Sequence, residues 1–300
     1  MKKTRAWFSA ARLRTLPLSI SGILVGSAIA ADEGFFEIEI FLLAIITTLG
    51  LQILSNFAND YGDFTKGTDN EERVGPMRAL QSGKITQAEM LYGIIGTAAI
   101  TLCFAIALIY VSFNAADFGY AVFFFLLGVA SIAAAIKYTV GKSAYGYRGL
   151  GDLFVFVFFG IVGVFGSYFL YSKNLNLLVL LPAASIGMLS MAVLNLNNMR
   201  DREADAKAGK ITLVVKIGLK KAKLYQGFLV RMAIFLTVFY VLYDFEKWTE
   251  LLFIVAAIPL FLHLNKVSKN ENPVLLDPEL KVVALSTFLF AVLFGLGQFL

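Results

Sequence analysis

The sequence predicts an all-α membrane protein of nine transmembrane helices, and three observations carry that prediction. They are the composition, the spacing of the apolar runs, and the sidedness of the basic residues. Of 300 residues, 58% are hydrophobic and only 16% are charged, against roughly 25% charged in soluble domains. Phenylalanine occurs 28 times and proline 6 times. A water-soluble enzyme is excluded, because so apolar a chain has too few polar groups to cover its own surface. Disorder is excluded on the same ground. One cysteine, Cys103, inside an apolar run leaves no disulfide framework.

A bilayer-crossing helix takes about 20 mainly apolar residues. Such runs lie at 16–31, 38–58, 88–113, 119–136, 153–171, 175–194, 224–243, 250–264 and 280–299. The first is short and carries Pro17 behind a basic flank. A cleaved signal peptide is its rival reading, and the want of a small-residue cleavage site favours a retained span. Thr86 with Glu89 three residues on predicts a capping box opening the third span. Asp277-Pro278-Glu279 predicts an N-cap, a proline at the first helical position and an acid in the first turn of the ninth. The whole chain, 1–300, reads as one domain.

Basic residues alternate between the two ends of these spans. The N-terminus and the loops after spans two, four, six and eight hold 23 of the 26 Lys and Arg residues. The other side holds Lys173 and Lys247 with eight acids, and Arg231 lies within span seven, placed to snorkel. The positive-inside rule therefore predicts a cytoplasmic N-terminus and a C-terminus outside. The net charge of +5 is accounted for by topology, and no nucleic-acid partner is expected.

Two acidic clusters fall on the predicted cytoplasmic side. Span two ends in Asn56, Asn59, Asp60 and Asp63, followed by Asp69; span six ends in Asn195, Asn197, Asn198, Arg200, Asp201, Glu203 and Asp205. If each helix runs on through its polar end, Asn56, Asp60 and Asp63 share one face, and so do Asn198, Asp201 and Asp205. Carboxylate and amide oxygens in this arrangement suit Mg²⁺, which takes one or two carboxylates together with substrate phosphates and water. Lys66, Arg73 and Arg78 follow the first cluster, and Arg200, Arg202 and Lys210 surround the second. Metal-holding carboxylates beside cations is the chemistry of diphosphate binding. Either cluster alone reads as a solvated helix end with i,i+4 ion pairs; two on one side favour a site. Their positions four spans apart suggest pseudo-equivalent halves, about 12–140 and 150–268, with a ninth helix at 280–299.

Asn59-Asp60-Tyr61-Gly62-Asp63, and Asn198-Met199-Arg200-Asp201 with Asp205, Gly209-Lys210 and Thr212-Leu213, resemble the two aspartate-rich motifs of the UbiA superfamily of intramembrane prenyltransferases. Asp69, Arg73-Val74-Gly75-Pro76-Met77-Arg78 and Gly83 resemble the branch that prenylates 1,4-dihydroxy-2-naphthoate for menaquinone biosynthesis. So do Tyr138-Thr139, Tyr145-Gly146-Tyr147-Arg148-Gly149-Leu150-Gly151-Asp152 and the N-terminal stretch from Arg12 to Pro17. The resemblance covers roughly residues 12 to 218. It departs from the family at Gly67, where a third aspartate is usual and Asp69 stands nearby, and at Gly141-Lys142, where the branch often has Gly-Pro.

The resemblance implies nine helices around a central cavity and Mg²⁺ held by Asn59, Asp63, Asp201 and Asp205, helped by Asp60 and Asn198. Asp63, Asp201 and Asp205 are the expected catalytic acids. Arg73, Arg78 and Lys210, with Arg12 as a lesser candidate, are the expected diphosphate ligands. Tyr138 and Tyr145 could stabilise a cation through their π faces or position the acceptor, although membrane-interface aromatics are common without any such role. Arg148 is the candidate contact for an acidic acceptor. His263 and Cys103 are read as packing residues.

The implied reaction is Mg-dependent transfer of a polyprenyl group from polyprenyl diphosphate to 1,4-dihydroxy-2-naphthoate with loss of CO₂ and diphosphate, giving demethylmenaquinol. Membrane lipid is the expected surrounding, no obligate protein partner is expected, and the active site would face the cytoplasm from the inner membrane. Three alternatives stay open. The acceptor could be another aromatic such as 4-hydroxybenzoate. A membrane transporter would also use polar groups within the bundle, but nearer the midplane. A lipid phosphatidyltransferase would gather its aspartates in one motif.

Overall fold

The protein is described by a computed structural model covering residues 3–69 and 74–300. Arg73 lies outside the described residues. Among them the chain is helical without strands, and nine helical stretches are long and apolar enough to cross a membrane. The protein is therefore an integral membrane protein, and each predicted run falls within one of these stretches to within two residues at its ends.

A short helix α1 (Lys3–Ala11) is followed by a 3-10 turn at Leu13–Thr15 and then α2 (Leu16–Asp32), with Pro17 in the first turn, where its missing N–H costs nothing. Next come α3 (Ile38–Thr65), α4 (Gln87–Ser112) and α5 (Phe118–Lys137). The predicted capping box opens α4: Thr86 Oγ1 accepts from the Glu89 N–H, and Glu89 accepts from the Thr86 N–H.

The fifth crossing departs from a plain helix. It consists of α6 (Gly151–Val155), eleven residues of π-helix at Phe156–Gly166, and α7 (Ser167–Ser172). The sixth is α8 (Leu180–Arg200), followed by the short α9 (Arg202–Lys207). Then come α10 (Leu213–Tyr243), a 3-10 stretch Trp248–Ala256 running into α11 (Ala257–Lys269), and α12 (Leu276–Phe299). The predicted start of the ninth span is corrected: a 3-10 turn at Pro273–Leu275 leads directly into α12, so Asp277 is inside the first turn and does not cap it. Its carboxylate is drawn instead to Arg200 and Arg14.

The main core lies among α2, the π-helical segment, α8, α10 and α12. Val164, Tyr168, Leu189, Leu196, Val230, Phe290 and Phe294 are fully buried there. Association of helices in lipid gains little from the hydrophobic effect and depends on close packing. Small residues supply it. A Cβ on Gly22 would fall 2.8 Å from the Phe159 carbonyl oxygen, one on Gly26 2.3 Å from that of Val164, and one on Gly160 2.5 Å from that of Ala183. A second, smaller core joins α1 to α3 and α4 through Ala6, Ala10, Leu54, Ala58 and Met90, with Trp7 edge-on to Phe57 at 5.2 Å. Helices α4 and α5 are peripheral and present Tyr110, Phe123 and Leu126 outward, as lipid-facing helices do.

Candidate active site

A cavity of about 690 Å³ opens at the end of the bundle where α3 and α8 terminate. Its apolar wall comes from Leu18 and Ile23 of α2, Phe154 of α6, and Phe158, Phe159 and Val162 of the π-helical segment. Its polar end gathers both aspartate clusters.

Helix α3 runs unbroken through the first cluster, so the predicted face forms, and Asn56, Asn59, Asp60 and Asp63 all line the cavity. Each is already engaged by the surrounding chain. Asn56 Nδ2 donates to the Ala11 carbonyl at 2.9 Å, and Asn59 Oδ1 accepts from Thr139 Oγ1 at 3.3 Å. Asp60 Oδ2 accepts the Ala79 N–H at 3.2 Å, which ties down the loop carrying Arg78. Asp63 Oδ1 accepts from the Tyr147 hydroxyl at 2.8 Å.

The second cluster differs from the expectation. Helix α8 stops at Arg200, Asp201 is its C-cap, and Asp205 sits on α9. The face predicted for Asn198, Asp201 and Asp205 therefore does not exist. Asp201 and Asp205 line the cavity; Asn198 is buried away from it, and Asn197 takes its place on the wall. The break coincides with a local ion pair, since the Arg200 guanidinium grips the Asp201 carboxylate through Nε at 2.9 Å and Nη2 at 2.6 Å.

Both clusters share one device. Gly67 (φ 71°) ends α3 and Gly209 (φ 73°) ends α9, each in the left-handed region that glycine alone enters freely. The Thr68 N–H returns to the Asp63 carbonyl at 2.9 Å, and the Lys210 N–H returns to that of Asp205 at 2.8 Å, the pattern that satisfies a helix's last carbonyls. Asp63 and Asp205 are thus presented at helix C-termini, where the dipole adds negative potential and favours a cation. The glycine at 67 is needed for that turn. Asp69 is buried on the cavity wall with Arg78 Nε 3.7 Å from its Oδ1.

Lys210 and Arg78 bring positive charge to this end. Lys210 Nζ is 3.4 Å from Asp205 Oδ1. Burial works against the Lys210 charge, yet Asp63 and Asp205 outweigh it and raise its pKa. Burial pushes the Asp205 carboxyl up to about 6, with Lys210 opposing. Arg12 lines the cavity from the α1–α2 junction with a left-handed backbone, φ 49°, a conformation costing on the order of 1–2 kcal/mol outside glycine.

Tyr138 and Tyr145 both line the cavity, edge-to-face at 5.3 Å, with Tyr145 stacked on Phe154 at 3.8 Å. The Tyr145 hydroxyl is spent on the Ala134 carbonyl at 2.8 Å, and burial pushes that of Tyr138 up to about 12. Both offer ring faces. Arg148 is exposed and is not among the cavity residues, because its loop turns outward at Gly149 and Lys216 Nζ holds its carbonyl at 2.8 Å.

Sequence reasoning passed over Tyr147 as a functional residue. Besides bonding Asp63, its hydroxyl shares a 2.5 Å hydrogen bond with Thr68 Oγ1. Its carbonyl accepts the Ile211 N–H at 3.1 Å, and Lys66 Nζ stands 3.8 Å over its ring. One side chain thus joins the loops that follow both clusters. Its place in the Tyr145–Arg148 turn, inside a motif already noted, was the available signal.

The donor set suits a hard divalent cation. Asp205 Oδ2 is buried at the cavity and accepts no hydrogen bond among the described residues, leaving an acceptor that a cation would satisfy. Among those residues no three carboxylate, histidine or cysteine side chains gather to hold an ion alone. The aspartates are shared between two helix ends, an arrangement suited to ions that take their remaining oxygens from a ligand.

The sequence pattern of the UbiA prenyltransferase family matches residues 19–274. The chain belongs to that family. A 1,4-dihydroxy-2-naphthoate octaprenyltransferase of Escherichia coli (strain K12) is 42% identical over 100% of this chain and 97% of its own length. One from Haemophilus influenzae is 41% identical over 99% and 96%. Among solved structures, an apo UbiA homolog from Aeropyrum pernix K1 superposes with a TM-score of 0.70 at 16% identity, covering 95% of this chain and 97% of that one. A UbiA homolog from Archaeoglobus fulgidus bound to DMAPP and Mg²⁺ gives 0.62 at 17% identity, with 94% and 98% covered. These place the fold within the family, and the protein is a prenyltransferase.

Proposed function

We propose that this prenyltransferase moves a polyprenyl group from its diphosphate to 1,4-dihydroxy-2-naphthoate, releasing diphosphate and CO₂ and giving demethylmenaquinol. The observation that carries the reading is one cavity with a cation-seeking aspartate end and an aromatic, apolar wall. Relatives of that activity at 41–42% identity along the whole chain support the choice of acceptor. Mg²⁺ bound between Asn59, Asp60, Asp63, Asp201 and Asp205 would supply Lewis-acid neutralisation of the diphosphate charge. The archaeal homolog bound to Mg²⁺ and DMAPP supports the same assignment.

The chain's own residues do the rest. Lys210 and Arg78 grasp diphosphate oxygens as the allylic C–O bond breaks and the bonding pair departs with the leaving group. Arg12 adds charge from the α1–α2 junction. Tyr138 and Tyr145 turn their ring faces to the allylic cation. Phe154, Phe158 and Phe159 keep water from it and lie along the prenyl chain. The ring carbon bearing the carboxylate attacks the cation, and loss of CO₂ from that carbon returns its bonding pair to the ring.

The basic-residue bias supports reading this end of the bundle as cytoplasmic and Leu300 as outside, in a protein of the inner membrane. The matching Asp–Gly turns at 63–67 and 205–209 support reading 12–140 and 150–268 as pseudo-equivalent halves. The deciding experiment is turnover by the purified protein in lipid with Mg²⁺, octaprenyl diphosphate and either dihydroxynaphthoate or 4-hydroxybenzoate, read by product mass. A decarboxylated prenyl-naphthalenediol is expected; product from hydroxybenzoate alone would overturn the acceptor.

A further inference from the structure

An ion-pair chain ties the second aspartate cluster to the ninth crossing. Buried Arg200 holds the Asp201 carboxylate through Nε and Nη2, donates from Nη2 to Asn197 Oδ1 at 2.9 Å, and reaches Asp277 Oδ1 through Nη1. The other oxygen of Asp277 is 3.8 Å from Arg14 Nη1. One turn further along α12, Lys281 lines the same cavity, beside Leu280 and Ala284. It forms no hydrogen bond or ion pair with the described residues. On this wall three cations (Arg14, Arg200, Lys281) meet two carboxylates (Asp201, Asp277), and the surplus positive charge belongs to Lys281.

Lys281 is exposed near the start of α12 and lines the cavity, so its ammonium is open to an anion that enters there. The diphosphate end already has Lys210 and Arg78, carried by the loops after α9 and α3. Lys281 comes from α12, one turn beyond the Asp277 that Arg14 of the Leu13–Thr15 turn approaches, so it serves the cavity from another wall and another anion is assigned to it. Arg148, which the sequence offered for an acidic acceptor, is outside the cavity.

We infer that Lys281, with Arg14 lining the same cavity, binds the carboxylate of the aromatic acceptor and selects an aryl carboxylate over a neutral phenol of the same shape. This rests on the reading that the acceptor is a hydroxy-aryl carboxylate. The charge would hold the ring by an ionic hydrogen bond that a neutral analogue cannot make.

The test uses the full-length protein in lipid. Turnover of dihydroxynaphthoate by the unaltered chain checks the underlying reading. Competition by 1-hydroxy-2-naphthoate and by 1-naphthol is then compared between that chain and Lys281→Met. The unaltered chain should favour the carboxylate analogue by about tenfold, the worth of one charge-assisted hydrogen bond. Lys281→Met should lose that preference and show a comparably raised acceptor KM with the prenyl-diphosphate KM unchanged. Lys281→Arg should keep the preference. If the Met variant does not fold, Lys281→Gln, which keeps a polar head, takes its place with the same readout. A raised prenyl-diphosphate KM with the carboxylate preference intact, or no change in either constant, overturns the inference. Failure of the unaltered chain to prenylate dihydroxynaphthoate while it prenylates a neutral phenol overturns the underlying reading instead, and the competition ratio still reports on Lys281.

Discussion

Tyr147 shows how much of the site is held by side chains that carry no charge. Its hydroxyl bonds an Asp63 oxygen at 2.8 Å, and its backbone carbonyl holds the loop before α10. Tyr147→Phe removes the hydrogen bond to that carboxylate, worth roughly 1.5–3 kcal/mol, together with the one shared with Thr68 Oγ1. It should lower kcat/KM by about tenfold or more while leaving the amount of folded protein in the membrane unchanged, as steady-state kinetics beside fluorescence-detected size exclusion would show. Near-normal kinetics would mean that Asp63 needs no such support.

Legibility in the sequence followed the regularity of the backbone. Asn56, Asp60 and Asp63 were placed on one face because α3 does continue, and helical spacing then fixes which side chains adjoin. Asn198 was grouped wrongly with Asp201 and Asp205 because α8 ends at Arg200, which captures Asp201, and spacing arguments fail for the residues past a helix end. Arg148 and Tyr147 depend on loop direction and on contacts across many residues, to which their motif was only a pointer, and Lys281 reaches the cavity only through the packing of α12. The glycine at 67 read as a missing aspartate; its positive φ shows the position to be set by the turn.

Among the elements, α2 and the π-helical segment illustrate how crossings approach closely. Gly26 faces Ser167 Oγ and the Val164 carbonyl so tightly that a Cβ would fall 2.1 and 2.3 Å from them. Gly26→Ala should destabilise by about 1–3 kcal/mol through overpacking and lower the unfolding temperature in detergent. The same substitution at Gly96, inside α4 where a Cβ meets nothing within 4 Å, should leave that temperature unchanged or slightly raise it. Equal behaviour of the two variants would count against this packing.

For the whole molecule, two negatively charged helix ends converge on one cavity, so cation binding and folding are linked. Mg²⁺ with an unreactive prenyl diphosphate analogue should raise the unfolding temperature of the unaltered chain, and chelation should abolish turnover. Asp63→Ala should be expressed and membrane-inserted, yet show neither turnover nor the Mg²⁺-dependent shift. An unaltered shift in that variant would remove Asp63 from the metal-binding set.

The eleven π-helical residues at Phe156–Gly166 work as a phase shifter between the two membrane faces. Upstream the crossing turns Phe154 toward the reaction; downstream it aims Tyr168 at Glu33, at 2.6 Å, and Tyr171 at Ser27, at 2.9 Å. Each residue of an α-helix advances the azimuth by about 100°, and a stretch of wider turns alters that count. Excising one residue there would let the crossing rewind as an ordinary helix, but the two ends would then point to the wrong neighbours. A one-residue deletion in this segment is therefore a frameshift in three dimensions, felt at the opposite surface of the bilayer from the aspartates.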